Sequence, residues 1–199
     1  MKNKDKNIKY VRKTFFVHQY EEEETFLSAM RKEGWKFVKL HRGLPTIYEF
    51  EKCEPEEYTY RLDYIAAEKD ADDYHQLYKD YGWEETFEWD GIGGKWYYFC
   101  KKPGGKAQKI YSDIDSKIEL FDLLFKKYAG LFLLVGVLEL NGIKICVEAF
   151  IEAGLRSPLG IFCFMITILF LWILGIMGAN IGGMLKKKRI LMKQKENAL

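Results

Sequence analysis

Between Ser157 and Leu185 the chain runs 29 residues without a charged side chain. About 20 apolar residues at about 1.5 Å each cross a hydrocarbon core of roughly 30 Å. Leu159 to Ile181 offers only Thr167 and Asn180 as clearly polar side chains, and the rest of a 199-residue chain is too small to wrap so long an apolar rod. The run therefore predicts a transmembrane helix over 159–181. A second apolar stretch, 128–147, contains AGLFLLVGVL and is then interrupted by Glu139, Asn141 and Lys144. A carboxylate at membrane depth is costly unless paired or near an interface, so this stretch is read as a first membrane helix, with a half-inserted or interfacial helix as the alternative.

Charge orients the pair. Lys126 and Lys127 precede the first stretch, and Lys186, Lys187, Lys188 and Arg189 follow the second. The connection between them offers only Lys144 and Arg156 beside Glu148 and Glu152. By the positive-inside rule both ends are cytoplasmic, and the chain is expected in the cell membrane with two spans. The first thirty residues hold no apolar segment of the length a signal peptide needs, so the N-terminal part is expected to stay in the cytoplasm with reduced thiols. The overall charge of +2 conceals a segregation, because Tyr10 to Cys100 alone carries −8. That sign repels phosphates, so no nucleic-acid partner is expected for this part.

The N-terminal half compares with itself. An offset of 48 places Gly34-Trp35 on Gly82-Trp83, Phe26 on Tyr74 and Met30 on Tyr78, and an offset of 47 places Cys53 on Cys100. Each copy reads as strand, helix, strand, strand. The first has strands at about Val11–His18, Trp35–His41 and Thr46–Cys53 with a helix at about Glu21–Glu33. The second has strands at about Tyr58–Ile65, Trp83–Trp89 and Lys95–Lys101 with a helix at about Asp72–Tyr81. Tyr60, Leu62 and Tyr64 alternate as on a half-buried strand, while Tyr74, Leu77, Tyr78 and Tyr81 recur as on one helix face. Gly34 and Gly82 stand where a left-handed helix C-cap wants glycine. The predicted fold is α+β: a duplicated βαββ unit, its mostly antiparallel sheet of about six strands covered by two helices, followed by a two-helix transmembrane hairpin. The expected segments are a flexible basic N-terminus (1–9), the duplicated cytoplasmic domain (10–101, copies 10–53 and 58–101), a basic linker with an amphipathic helix (102–127), the two spans (128–147 and 159–181) and a basic cytoplasmic tail (186–199).

The segment FLSAMRKEGWKFVKLHRG, echoed as YHQLYKDYGWEETFEWDG and followed by a Lys-rich linker and two hydrophobic segments, resembles the bacterial membrane proteins catalogued as domain of unknown function 2812. The resemblance implies a membrane protein without assigned catalysis, and a cytoplasmic partner such as a small transcriptional regulator of the PadR-like kind. It carries over no active-site residues.

Chemistry is sparse. The four cysteines, at 53, 100, 146 and 163, form no CxxC pair, and His18, His41 and His75 show no HxxxH spacing, so neither a metal nor a cofactor is expected. Gly91-Ile92-Gly93-Gly94 lacks the Lys-Ser/Thr of a phosphate loop and joins two strands, which makes it a hairpin turn. The Glu21–Glu24 run reads as acidic residues in a helix first turn. No nucleophile, base and anion-stabilising group converge, and no enzyme is predicted. Trp35, Tyr48, Trp83, Trp89, Trp96, Tyr97 and Tyr98 lie on or beside strands; Trp35, Tyr48, Trp83, Trp89, Trp96 and Tyr98 are the candidates for lining a groove for a peptide, an aromatic or a cationic ligand, against the alternative of ordinary core packing. Lys101, Lys102, Lys106 and Lys109, with Lys186, Lys187, Lys188 and Arg189, are candidate lipid contacts. Gly175, Gly178, Ala179, Gly182 and Gly183 form a small-residue stripe suited to close helix packing, with Asn180 beside it; its partner is either the first span or the same helix of a second chain in a homo-oligomer. The leading function is a non-enzymatic, membrane-anchored binding or sensory module in contact with the lipid bilayer. The alternative is an accessory subunit or resistance factor of a membrane transport or envelope-stress system.

Overall fold

The computed structural model describes residues 7–41, 43, 45–66, 71–103, 114–154 and 157–197. Two compact units divide the chain, residues 1–112 and 113–199.

In the first unit the order is β1 (Ile8–Arg12), α1 (Tyr20–Lys32), β2 (Trp35–His41), β3 (Ile47–Lys52), β4 (Thr59–Ala66), α2 (Ala71–Asp80), β5 (Glu84–Gly91) and β6 (Gly94–Lys101). The strands form two antiparallel three-stranded sheets, ordered β1-β3-β2 and β4-β6-β5, with the last strand of each central. A register irregularity falls between Phe37 and Lys39 in one and between Glu85 and Phe87 in the other, three residues after Gly34 and Gly82. Both helices end as their glycines dictate. Gly34 has φ 84° and Gly82 φ 76°. The Gly82 N–H donates to the Lys79 carbonyl at 2.9 Å and the Trp83 N–H to Tyr78 at 3.0 Å, the paired bonds of a Schellman ending.

The expected single sheet of about six strands is thus replaced by two sheets. At the outer edge of β4 two N–H groups are already used. Tyr60 N–H donates to Ser28 Oγ at 3.1 Å and Leu62 N–H to Glu24 Oε1 at 2.9 Å. α1 therefore occupies the place where another strand would add. α1 also lies on the first sheet, where Phe26 packs edge-on against Tyr48 and Phe50 at 5.4 and 5.9 Å. In the second sheet Tyr97 and Phe99 face α2, with Tyr78 stacked 3.9 Å from Phe99. Its Trp96 and Tyr98 meet Tyr20 of α1 and Phe37 of β2. The central strands record this asymmetry. Tyr48 and Phe50 in β3 are buried between less buried neighbours, whereas Trp96 to Cys100 in β6 are buried without a break, the pattern of a strand covered on both faces.

The first strand also begins and ends earlier than expected. Phe15 leaves the sheet to pack on Phe26 and Tyr48. The Phe16 N–H donates to Gln19 Oε1 at 3.0 Å and opens a short 3-10 turn, Val17–Gln19.

The second unit is a pair of long helices, α3 (Ile114–Ala153) and α4 (Pro158–Glu196). They run antiparallel: Asp115 pairs with Lys195, Asp122 with Lys188, Gly136 faces Leu174, Gly142 faces Phe170, and Phe150 meets Phe164. Gly154 ends α3, and Ser157 caps α4 by accepting from the Gly160 N–H at 2.9 Å, with Pro158 at the first helical position. The amphipathic stretch from Ile114 and the apolar stretch after Tyr128 are one 40-residue helix, and α4 continues through the basic tail to Glu196 over 39 residues. Lys, Arg and Leu are good helix formers, and no proline falls inside either helix to break it. At roughly 60 Å each, both exceed the thickness of a hydrocarbon core. Two helices are thus long and apolar enough to cross a membrane.

Candidate functional site

The buried stripe of α1 consists of Tyr20, Glu23, Glu24, Leu27, Met30 and Arg31, a helical spacing that puts two carboxylates inside the unit. Glu23 Oε1 accepts a hydrogen bond of 2.8 Å from the Tyr48 hydroxyl and another of 2.8 Å from Tyr98, so one oxygen joins the two sheets. Burial pushes this carboxyl up to about 7, against the opposing pull of the two phenols. The same burial, with Glu23 beside it, holds the Tyr98 hydroxyl well above the usual range. Glu24 is also pushed up to about 7 by burial, although it accepts from Leu62 N–H and pairs through Oε2 with Arg61 Nη1 at 2.9 Å. The Glu21–Glu24 run read as a simple first turn, yet its last two members fall in register with Leu27 and Met30. That register was the available signal.

At the far end of α1, Arg31 gathers a second polar group. Its guanidinium donates to Cys53 Sγ and, at 2.6 Å, to Glu56 Oε2, and it stacks 4.5 Å from the Tyr58 ring centre. Lys102 Nζ reaches the other Glu56 oxygen at 2.9 Å and, first among several causes, lowers that carboxyl. Cys100, at the equivalent end of the second sheet, is buried and pushed up to about 11 by burial. Among the described residues, no group of three or more His, Cys, Asp or Glu side chains is placed to hold a metal ion.

The six aromatic candidates divide. Tyr48, Trp96 and Tyr98 are 2–4 % exposed and lie in the core, the two tyrosines on Glu23 and Trp96 between Tyr20 and Tyr64. Trp35 lies under Lys9 Nζ at 5.1 Å, and Trp83 meets Tyr78 and Lys101. Trp89 pairs in register with Trp96. The candidate lipid contacts divide as well. Lys101 Nζ donates to the Tyr81 carbonyl at 2.5 Å and Lys102 is held by Glu56, while Lys106 and Lys109 lie outside the described residues. Lys188 is committed to Asp122.

The small-residue stripe is placed by the faces of α4. At about 100° per residue, Met184, Lys188, Leu191 and Lys195 share the face toward α3, where Met184 and Leu191 are buried. Gly175, Ala179, Gly182, Lys186, Arg189 and Lys193 fall on the opposite face, with Gly178 at its edge. A Cβ added at Gly175, Gly178 or Gly182 would meet nothing within 4 Å, so the first helix of the pair is not what this stripe packs against. Asn180 lies toward the α3 side and not beside the glycines, and its buried Oδ1 has no hydrogen-bond partner among the described residues. A groove of about 390 Å³ lies over Gly182, Leu185, Lys186, Arg189, Ile190 and Lys193.

Compared with protein families, residues 19–133 match the model described as protein of unknown function DUF2812. This chain belongs to that family. In this DUF2812 protein the match begins one residue before α1, after β1, runs through β2 to β6 and ends inside α3, so it spans parts of both compact units. No curated protein and no solved structure matches the chain.

Proposed function

We propose that this DUF2812 protein is a membrane-anchored, non-enzymatic binding or sensory module: a duplicated βαββ domain on the cytoplasmic side, held at the bilayer by α3 and α4 as a transmembrane hairpin with both termini cytoplasmic. The observation that carries this reading is the uncovered apolar surface of the helix pair. Leu133, Leu138, Ile145 and Met165 are each 64–67 % exposed, and a surface of that extent and apolarity is stable against lipid chains, not water. The ion pairs Asp115–Lys195 and Asp122–Lys188 keep the charged start of α3 and the charged end of α4 together, as a hairpin with both ends on one side requires. The non-enzymatic part of the reading is supported by the first unit's buried carboxylates, which are spent on Tyr48, Tyr98, Leu62 and Arg61. Reporter fusions after residue 105 and at the C-terminus test the topology. Both should report the cytoplasm, and opposite sides would reduce the hairpin to one span.

The reading as an accessory subunit, in which the hairpin itself does the recognising, draws on Glu139. It is 7 % exposed within the helix pair, and its Oε2 has no hydrogen-bond partner among the described residues. Intramembrane carboxylates of that kind mark functional positions.

A further inference from the structure

The run Lys186-Lys187-Lys188-Arg189 reads as one basic block, but the helix separates its members. Lys188, with Lys195 a further two turns on, faces α3 and is neutralised by Asp122 and Asp115. Lys186, Arg189 and Lys193 project from the other side of α4, are exposed, and take part in no ion pair with the described residues. Their spacing of three and four puts them on one stripe. Directly below, toward the apolar part of the helix, the same stripe continues as Gly182, Ala179 or Gly178, and Gly175, a track almost without side chains where added Cβ atoms would meet open space. Leu185 and Ile190 wall the groove where the two halves of the stripe meet.

An occupant must therefore be anionic at one end and a thin hydrocarbon at the other. We infer that the outward face of α4 binds one anionic phospholipid, its phosphodiester held by Lys186, Arg189 and Lys193 and an acyl chain laid along Gly182, Gly178 and Gly175. The inference rests on the membrane reading proposed above and deepens it by naming the lipid and its site. A second copy of the chain fits this face less well. Two copies in one bilayer share an orientation, so a parallel helix on the stripe sets three uncompensated cations against three more. A soluble phosphate satisfies the cations but leaves the side-chain-free track bare.

The test uses the full chain purified in mild detergent, titrated with phosphatidylglycerol or with phosphatidylcholine of the same acyl chains, and read by native mass spectrometry. One phosphatidylglycerol should be retained per chain in preference to phosphatidylcholine, and a large excess of inorganic phosphate should leave it bound. At about fivefold for each charge near the headgroups, the triple variant Lys186→Gln, Arg189→Gln, Lys193→Gln should bind about a hundredfold more weakly. Lys188→Gln should bind as the wild type does. Gly182→Leu, whose Cβ would meet nothing within 4 Å, should also weaken retention by filling the track. The site is overturned if the triple variant retains phosphatidylglycerol undiminished, if phosphatidylcholine is held equally, if phosphate displaces the lipid, or if Gly178→Cys crosslinks two copies. Flotation of wild type and variants with vesicles keeps the two readings apart: a wild-type chain that does not float defeats the membrane reading, whereas floating variants with unchanged lipid retention defeat only the lipid site.

Discussion

Glu23 and Tyr98 stand 75 positions apart in the chain, and the hydroxyl of one reaches the carboxyl of the other at 2.8 Å inside the first unit. Because Tyr48 binds the same oxygen, the carboxyl is bridged between two sheets that share no paired strands among the described residues.

That placement gives stability a pH slope. Folding raises Glu23 from 4.5 to about 7, and Glu24 likewise. Below about pH 4.5 both the folded and the unfolded chain hold these protons. As pH rises toward 7 the unfolded chain releases them while the folded chain still binds them, so stability falls across this window and levels off above it. The full effect is on the order of 3 kcal/mol for each group. Four of the five tryptophans lie in the first unit, so tryptophan fluorescence during urea unfolding reports on it. The midpoint should be higher at pH 5 than at pH 8, and Glu23→Gln should flatten the slope. Equal midpoints in the wild type would show that the carboxyls are not held as described.

The edge of β4 offers a second test. Glu24→Ala leaves the buried Leu62 N–H without its acceptor and should cost about 1–3 kcal/mol. Glu24→Gln keeps an acceptor there and alters only the contact with Arg61, whose side chain is 40 % exposed, so at pH 5, where the folded chain holds the Glu24 proton, it should cost less than about 1 kcal/mol. Equal losses for the two variants in chemical denaturation would mean that α1 does not cover this edge.

The two helix-ending glycines are alike in backbone and unlike in surroundings. Alanine at Gly82 meets only the flexible end of Lys101 at 3.7 Å, whereas alanine at Gly34 places a Cβ 2.9 Å from the Cys53 carbonyl oxygen. Gly82→Ala should therefore cost about 1 kcal/mol from the left-handed backbone alone, and Gly34→Ala distinctly more. A larger loss of melting temperature for Gly82→Ala would reverse this account.

In the helix pair the glycine that matters for α3 against α4 is Gly142, where a Cβ would lie 2.8 Å from the Phe170 ring. In a background without native cysteines, a disulfide between Gly136→Cys and Leu174→Cys should form readily. It should weaken when Gly142→Leu is added and persist with Gly178→Leu. Loss of the crosslink with Gly178→Leu would return the small-residue stripe to the α3 interface.

Most of the local structure was legible. Period and punctuation located both short helices to within a residue or so, along with the helix-Gly-Trp junctions and the hairpin between β5 and β6. What could not be read were relations between distant segments. Alternation shows that a strand has a buried face but not which strand lies beside it, so two sheets read as one. The unbroken run Trp96 to Cys100 was the sign that the second sheet is covered on both sides. Phe15 and Phe16 extended the expected first strand because their apolarity serves loop packing on Phe26 equally well. Hydropathy marked where apolar side chains begin and end, not where helical hydrogen bonding stops, so α3 and α4 outrun the expected spans. At the site, the lysines at 186 and 188 are alike as letters, and only the helical screw decides that one is neutralised by Asp122 and the other is not.

The cover that Ser28 and Glu24 lay over β4 also makes the two halves of the domain mutually dependent. A fragment starting after residue 55 would retain every strand of its own sheet and yet expose the Tyr60 and Leu62 amides on an open flank. Such a flank is a template for the next identical chain. The second half on its own is thus expected to assemble edge to edge into larger species, and adding the first half as a separate polypeptide should dissolve them by restoring the missing helix.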